Sequence, residues 1–214
     1  MREAAGGRVR KGIEDPMEAG SRVEAGSRTV VIGLGNEFRR DDGVGWTVAG
    51  LLRRRAEEFR LPPGVVVAQC DGDPGRLIEL WGDAGLAVVV DACFPPAAEP
   101  GRTHRWEEAA GGPPRTTGPA RHSTHGLGFA EAVDLGRALG RIPRRLIVYA
   151  VEGADLSPGP GLTPAVAGVV PELLRRIRAD LERHGVFAGG ARGVHDGRPT
   201  GTRRTEVTAR WPFA

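Results

Sequence analysis

The chain has a single lysine, Lys11, among 30 basic residues, only two cysteines, Cys70 and Cys93, and an aromatic content of 5% in 214 residues. Two cysteines cannot build a disulfide framework, and neither belongs to a CxxC pair, so both read as small buried hydrophobes. The pI near 9.5 invites a nucleic-acid partner. The formal charge is only +3, however, and pairs such as Arg39-Arg40, Arg144-Arg145 and Arg175-Arg176 are scattered without the interleaved aromatics that stack on bases. These arginines read as solvated surface, and no nucleic-acid partner is expected. No apolar run is long enough to span a bilayer, and the N-terminus lacks the apolar core of a signal peptide. A cytoplasmic protein without a membrane partner is the expectation.

Residues 1–27 and 184–214 lack hydrophobic periodicity and are rich in Gly, Arg, Glu and Thr, so they read as a disordered N-terminal tail and a flexible C-terminal tail. The domain is then 28–183, with an irregular, Pro- and Gly-rich insertion at 94–121. Within the insertion, Arg102 to Glu107 has the pattern of an edge strand.

Short β-branched or wholly apolar runs at Thr29 to Ile32, Val65 to Gln69, Leu86 to Val90 and Leu146 to Val151 predict strands. Helical spacing predicts helices at Gly43 to Arg60, at Leu77 to Trp81 behind a capping Asp and Pro, and after Ser123 or Thr124, where Leu127, Ala130, Val133, Leu135 and Leu139 form the apolar face. A last helix carries Val166 to Leu181, with Pro171 as a kink or restart. Strands alternating with helices predict an α/β class, a three-layer α/β/α sandwich with a mainly parallel twisted sheet.

In such sheets, sites form beyond the carboxyl ends of the strands. Gly35, Asn36 and Asp42 follow the first strand, Asp71 the second, Asp91 the third and Glu152 the last, while His125 stands at the start of a helix. Two carboxylates and an imidazole form an N/O donor set suited to nickel, zinc or iron. Asp42, Asp91 and His125 are therefore the candidate metal-recognising and catalytic residues. Each has a plainer reading when taken alone: Asp91 as a turn cap, Asp41 and Asp42 as caps of the first helix, and His125 as an ordinary buried or surface histidine. A dinucleotide site is disfavoured because GLGNEF lacks the third glycine of the fingerprint. A receiver domain is excluded because Glu152 stands where that family has a lysine.

The ordered segments GLGNEFRRDDGVG, CDGDPGRLIEL, VVVDAC, STHGLGFAEAVDL, VYAVEG and GLTPAV, spanning Val30 to about Ile177, resemble the hydrogenase maturation proteases. The resemblance implies an α/β/α fold and an endopeptidase that trims the C-terminal extension from the large-subunit precursor of a nickel-iron hydrogenase. It also implies that Asp42, Asp91 and His125 contact nickel carried by the substrate, with no resident metal and no organic cofactor. On this reading the acids stand unpaired because their cation arrives with the precursor. A monomer is expected. The alternative is a non-catalytic nickel-binding or chaperone-like module that holds the precursor with the same ligands.

Overall fold

In the computed structural model, residues 28–109 and 126–187 are described. Five strands form one sheet: β1 (Thr29–Leu34), β2 (Val65–Cys70), β3 (Leu86–Cys93), β4 (Thr103–Ala109) and β5 (Arg145–Glu152), in the order β2-β1-β3-β5-β4. β2, β1, β3 and β5 are mutually parallel, and β4 closes the far edge antiparallel to β5. The helices are α1 (Val44–Arg54), α2 (Pro74–Trp81), α3 (Gly126–Ala138) and α4 (Pro164–Arg183), and a 3-10 turn at Arg40–Gly43 precedes α1. β1 and β3 are buried along their whole length, as strands covered on both faces must be, which accounts for their unbroken apolar runs.

The period-two alternation of the strands sorts their side chains into two cores. On one face Ile32, Val89 and Val148 pack against Leu77 and Trp81 of α2 and Phe129 and Ala132 of α3. The Trp81 and Phe129 rings meet edge to face at 5.8 Å. On the other face Val31, Val88 and Tyr149 pack against Val48 and Leu52 of α1 and Val170, Leu173 and Ile177 of α4. The result is the three-layer α/β/α sandwich expected from the alternation of elements.

Some boundaries differ from the sequence reading. α1 stops at Arg54, and a series of turns through Arg60 lays Phe59 on the core ahead of Pro62. α4 runs unbroken through Pro171, which lies on its exposed face. The buried face of α3 is Phe129, Ala132 and Val133, whereas Leu135 and Leu139 are exposed, because the helix meets α2 through the stripe that contains Phe129. Packing continues past Arg183: the Val186 amide donates to the Leu181 carbonyl, and Val186 and Phe187 lie against the core. The central part of the insertion is the regular strand β4. The expected caps Ser123 and Thr124, the remainder of the insertion, residues 1–27 and residues 188–214 lie outside the described residues.

An ionic cluster around the buried Asp180 fastens the β4 edge to α4. The Asp180 carboxylate, 1% exposed, accepts from Arg105 Nε at 2.8 Å and Nη2 at 3.0 Å, from the Tyr149 hydroxyl at 2.6 Å and from Arg183 Nη1 at 2.5 Å. Among the described residues no helix is long and apolar enough to cross a membrane.

Candidate active site

The connection leaving β1 leads to β2 on one side, whereas the chain leaving β3 travels toward β4 and β5 on the other. The crevice between the carboxyl ends of β1 and β3 is therefore the topological switch point of the sheet, the usual position for a site. A cavity of about 400 Å³ lined by Thr29, Leu86, Arg145 and His184 lies at the opposite, amino ends of the strands and takes no part in it.

Close backbone packing builds the crevice. A Cβ on Gly33 would lie 2.0 Å from the Gly45 carbonyl oxygen, and a Cβ on Gly45 would lie 2.2 Å from that of Leu34 and 2.4 Å from that of Val90. With no side chain at either position, the first turn of α1 rests directly on β1 and β3. Gly35 then turns the chain at φ 133°, with its amide bonded to the Cys70 carbonyl. The Asn36 amide donates to the Asp42 carbonyl at 3.3 Å, folding the 36–42 loop back over the end of β1. The 3-10 turn thereby packs against β3.

Asp41 and Asp42, adjacent in sequence, serve different purposes. Asp41 is fully buried, and its carboxylate accepts from the Ala154 amide at 2.8 Å, the Asp155 amide at 3.1 Å, the Thr163 amide at 2.7 Å and the Thr163 hydroxyl at 3.0 Å. It ties the loop after β5 to the loop after β1. The expectation that the paired acids cap α1 or stand unpaired is thus corrected for Asp41: its acceptors are filled by amides more than a hundred residues away. Asp42, also fully buried, follows it within the turn at the switch point.

Asp91 is 2% exposed and lies inside β3 rather than beyond it, because β5 continues alongside as far as the Cys93–Glu152 pair. The β1 pairing ends one residue earlier, at Gly33–Val90, so Asp91 is the first β3 residue free of that neighbour. Alternation places it on the face of Val89 and Cys93, the side covered by α2 and α3. One oxygen accepts from the Ala92 amide at 2.9 Å. α3 begins at Gly126 in that same layer, and a Cβ on Gly128 would meet the Gly72 carbonyl oxygen at 2.4 Å, which fixes the start of the helix against the loop after β2. His125, the third candidate, lies outside the described residues. Among the described residues no three His, Cys, Asp or Glu side chains are grouped closely enough to hold a metal ion.

The other strand-end acids have structural partners. Asp71 is exposed and accepts from the Asp73 amide, while Asp73 caps α2 through the Arg76 amide at 2.8 Å. Glu152 is buried and receives His104 Nε2 at 2.6 Å and the Glu99 amide at 2.5 Å, closing the 94–102 loop. Both thiols are buried. Burial, then the charges of Glu152 and Asp91, push the Cys93 thiol up to about 12, and burial also raises that of Cys70. Neither supplies a thiolate nucleophile near neutral pH.

Sequence reasoning missed the tether from Asp41 to Thr163 and the partnership of Glu152 with His104. The first had a signal in the Thr of GLTPAV. The second had none, because His104 lies 48 residues from Glu152 in the insertion.

An α/β/α sandwich with buried carboxylates at the switch point of a parallel sheet defines an α/β protein whose chemistry belongs to the carboxyl ends of its strands. No family model matches the chain. It is 30% identical over 174 residues to the hydrogenase 2 maturation protease of Escherichia coli, covering 79% of this chain and 99% of that protein. It is 31% identical over 143 residues to the hydrogenase expression/formation protein HupD of Bradyrhizobium diazoefficiens, covering 65% and 70%. The chain belongs to the hydrogenase maturation protease family. Its fold matches the hydrogenase-maturating endopeptidase HybD from E. coli with a TM-score of 0.60 and 24% identity, over 74% of this chain and 94% of that one. An E. coli endopeptidase solved in solution gives 0.61 and 22%, over the same shares.

Proposed function

We propose that this protein is the endopeptidase that removes the C-terminal extension of a nickel-iron hydrogenase large-subunit precursor after nickel insertion, acting as a cytoplasmic monomer. Membership of the maturation protease family supports the reaction class and the kind of partner. The observation that carries the site is the burial of Asp91 near the carboxyl end of β3 and of Asp42 in the turn that follows the neighbouring β1.

Nickel, in this reading, is part of the substrate. Asp42, Asp91 and His125 supply an oxygen and nitrogen donor set that suits it. Recognition of a metal already seated in the precursor makes cleavage a report on completed assembly. The peptide bond is hydrolysed by water: its oxygen bonds to the scissile carbonyl carbon, a site carboxylate takes the proton, and the departing amine receives one as the C–N bond breaks. The precursor's metal is the group that polarises the carbonyl or the water.

Intact mass spectrometry of nickel-loaded and nickel-free precursors, before and after incubation, tests the reading. Loss of a C-terminal peptide from the nickel-loaded precursor alone is the expected result. Equal cleavage of both forms removes the metal checkpoint. Binding to a cognate precursor without cleavage replaces the protease with a chaperone-like holder.

A further inference from the structure

Phe38 is the most exposed large hydrophobic side chain among the described residues, at 67%, and it lies four positions before Asp42 on the loop that builds the crevice. It is held rather than left loose. Its amide donates to Asn36 Oδ1 at 2.9 Å, its carbonyl accepts from the Gly159 amide at 2.8 Å, and the Arg40 amide returns to the Gly159 carbonyl at 3.0 Å. These bonds form a short bridge between Arg39 and Gly159 that fixes the backbone on both sides of the ring. Pro158 and Pro160, on either side of Gly159, are also exposed, and the charged Glu37 and Arg40 flank the ring in sequence, Arg40 donating to the Pro160 carbonyl at 3.3 Å.

A loop with satisfied backbone bonds that nonetheless turns its one aromatic ring to water is a preorganised contact: the ordering entropy is already spent before a partner arrives. A polypeptide substrate must be gripped near the bond to be cut, and the buried carboxylates offer no apolar hold of their own. We propose that Phe38 is the apolar anchor for the precursor, receiving an apolar side chain from the segment that flanks the scissile bond. The inference rests on the endopeptidase reading and names the residue by which the enzyme selects its chain.

The test compares wild-type protein with Phe38→Ala and Phe38→Leu on nickel-loaded precursor, with circular dichroism verifying the fold of each. Phe38→Ala should raise KM by about tenfold or more, the size expected for loss of an aromatic anchor. The loss should fall in KM rather than kcat, and Phe38→Leu should recover most of it. An unchanged KM overturns the anchor, as does a loss confined to kcat. Binding titrations of the same precursor separate this inference from the function. If wild-type protein binds without cleaving, weaker binding by Phe38→Ala still supports the anchor and equal binding overturns it. If wild-type protein neither binds nor cleaves, both readings fall. Sedimentation of the free proteins covers the remaining occupant: a wild-type dimer that Phe38→Ala dissociates assigns the ring to a second copy and overturns the proposal.

Discussion

Asp41 and Thr163 stand 122 residues apart in sequence and meet through two hydrogen bonds, from the Thr163 amide at 2.7 Å and its hydroxyl at 3.0 Å. With the Ala154 and Asp155 amides they make one buried carboxylate the joint between two site loops. Thr163→Val should cost about 1 kcal/mol, one hydrogen bond, whereas Asp41→Ala leaves several donors unsatisfied and should cost about 3–5 kcal/mol. Urea denaturation of both single variants and the double variant measures the coupling. Strictly additive losses would dissolve the joint.

Asp91→Asn and Asp42→Asn keep the shape of each side chain and remove its charge. Each should lower kcat/KM on nickel-loaded precursor by about a hundredfold or more, as removal of a catalytic base or metal contact does. Full activity in either variant would exclude that residue from the chemistry.

Gly45→Ala tests the close approach of α1 to the sheet. The added methyl would sit within 2.4 Å of two carbonyl oxygens, and neither strand can yield without loss of pairing. A loss of about 3 kcal/mol or more, the range of severe overpacking, is expected together with loss of cleavage. An unchanged melting temperature would mean that the helix and the sheet are not in contact there.

Alkaline pH should unfold the protein through Cys93 and Tyr149. Burial, then the charges of Glu152 and Asp91, raise the Cys93 thiol from 9.0 to about 12; burial, then the bond to Asp180, raise the Tyr149 hydroxyl. A raised value means that the folded state holds the proton more tightly, so this share of stability is complete below pH 9 and is lost as the pH climbs toward 12. Melting temperatures measured across that range should fall. Cys93→Ala should flatten part of the decline, and alkylating reagents at pH 8 should leave activity intact.

Tyr149→Phe should cost about 1 kcal/mol and Asp180→Ala about 3–5 kcal/mol, because the first removes one neutral donor and the second strands the buried Tyr149 hydroxyl and takes the carboxylate partner from both Arg105 and Arg183. Chemical denaturation distinguishes the two. Equal losses would mean that the ion pair between β4 and α4 contributes nothing beyond the hydroxyl.

Much of this architecture was legible in the sequence. The apolar runs of β1 and β3 announce central strands, because only burial on both faces tolerates them, and the acids that close those runs, Asp42 in the turn after β1 and Asp91 in the last part of β3, fall at the switch point. Asp41 and Asp42 were not separable, since neighbours in sequence carry no label for which side chain turns toward a loop 122 residues away. Strand ends were also misjudged: Asp91 belongs to β3 because β5 extends beside it, a relation set by register rather than by local composition. The outward direction of Leu135 and Leu139 depended on how α3 meets α2, which helical spacing alone leaves open.

The joint at Asp41 also sets when the enzyme can first exist. Its donors arrive only after β5 and the following loop have been made, whereas Asp41 itself belongs to the opening turn of the domain. A chain emerging from the ribosome carries its acids early and their fixings late. A fragment ending before Thr163 should therefore cleave nothing. Truncation before Thr163 takes away two of the four bonds that hold the Asp41 carboxylate.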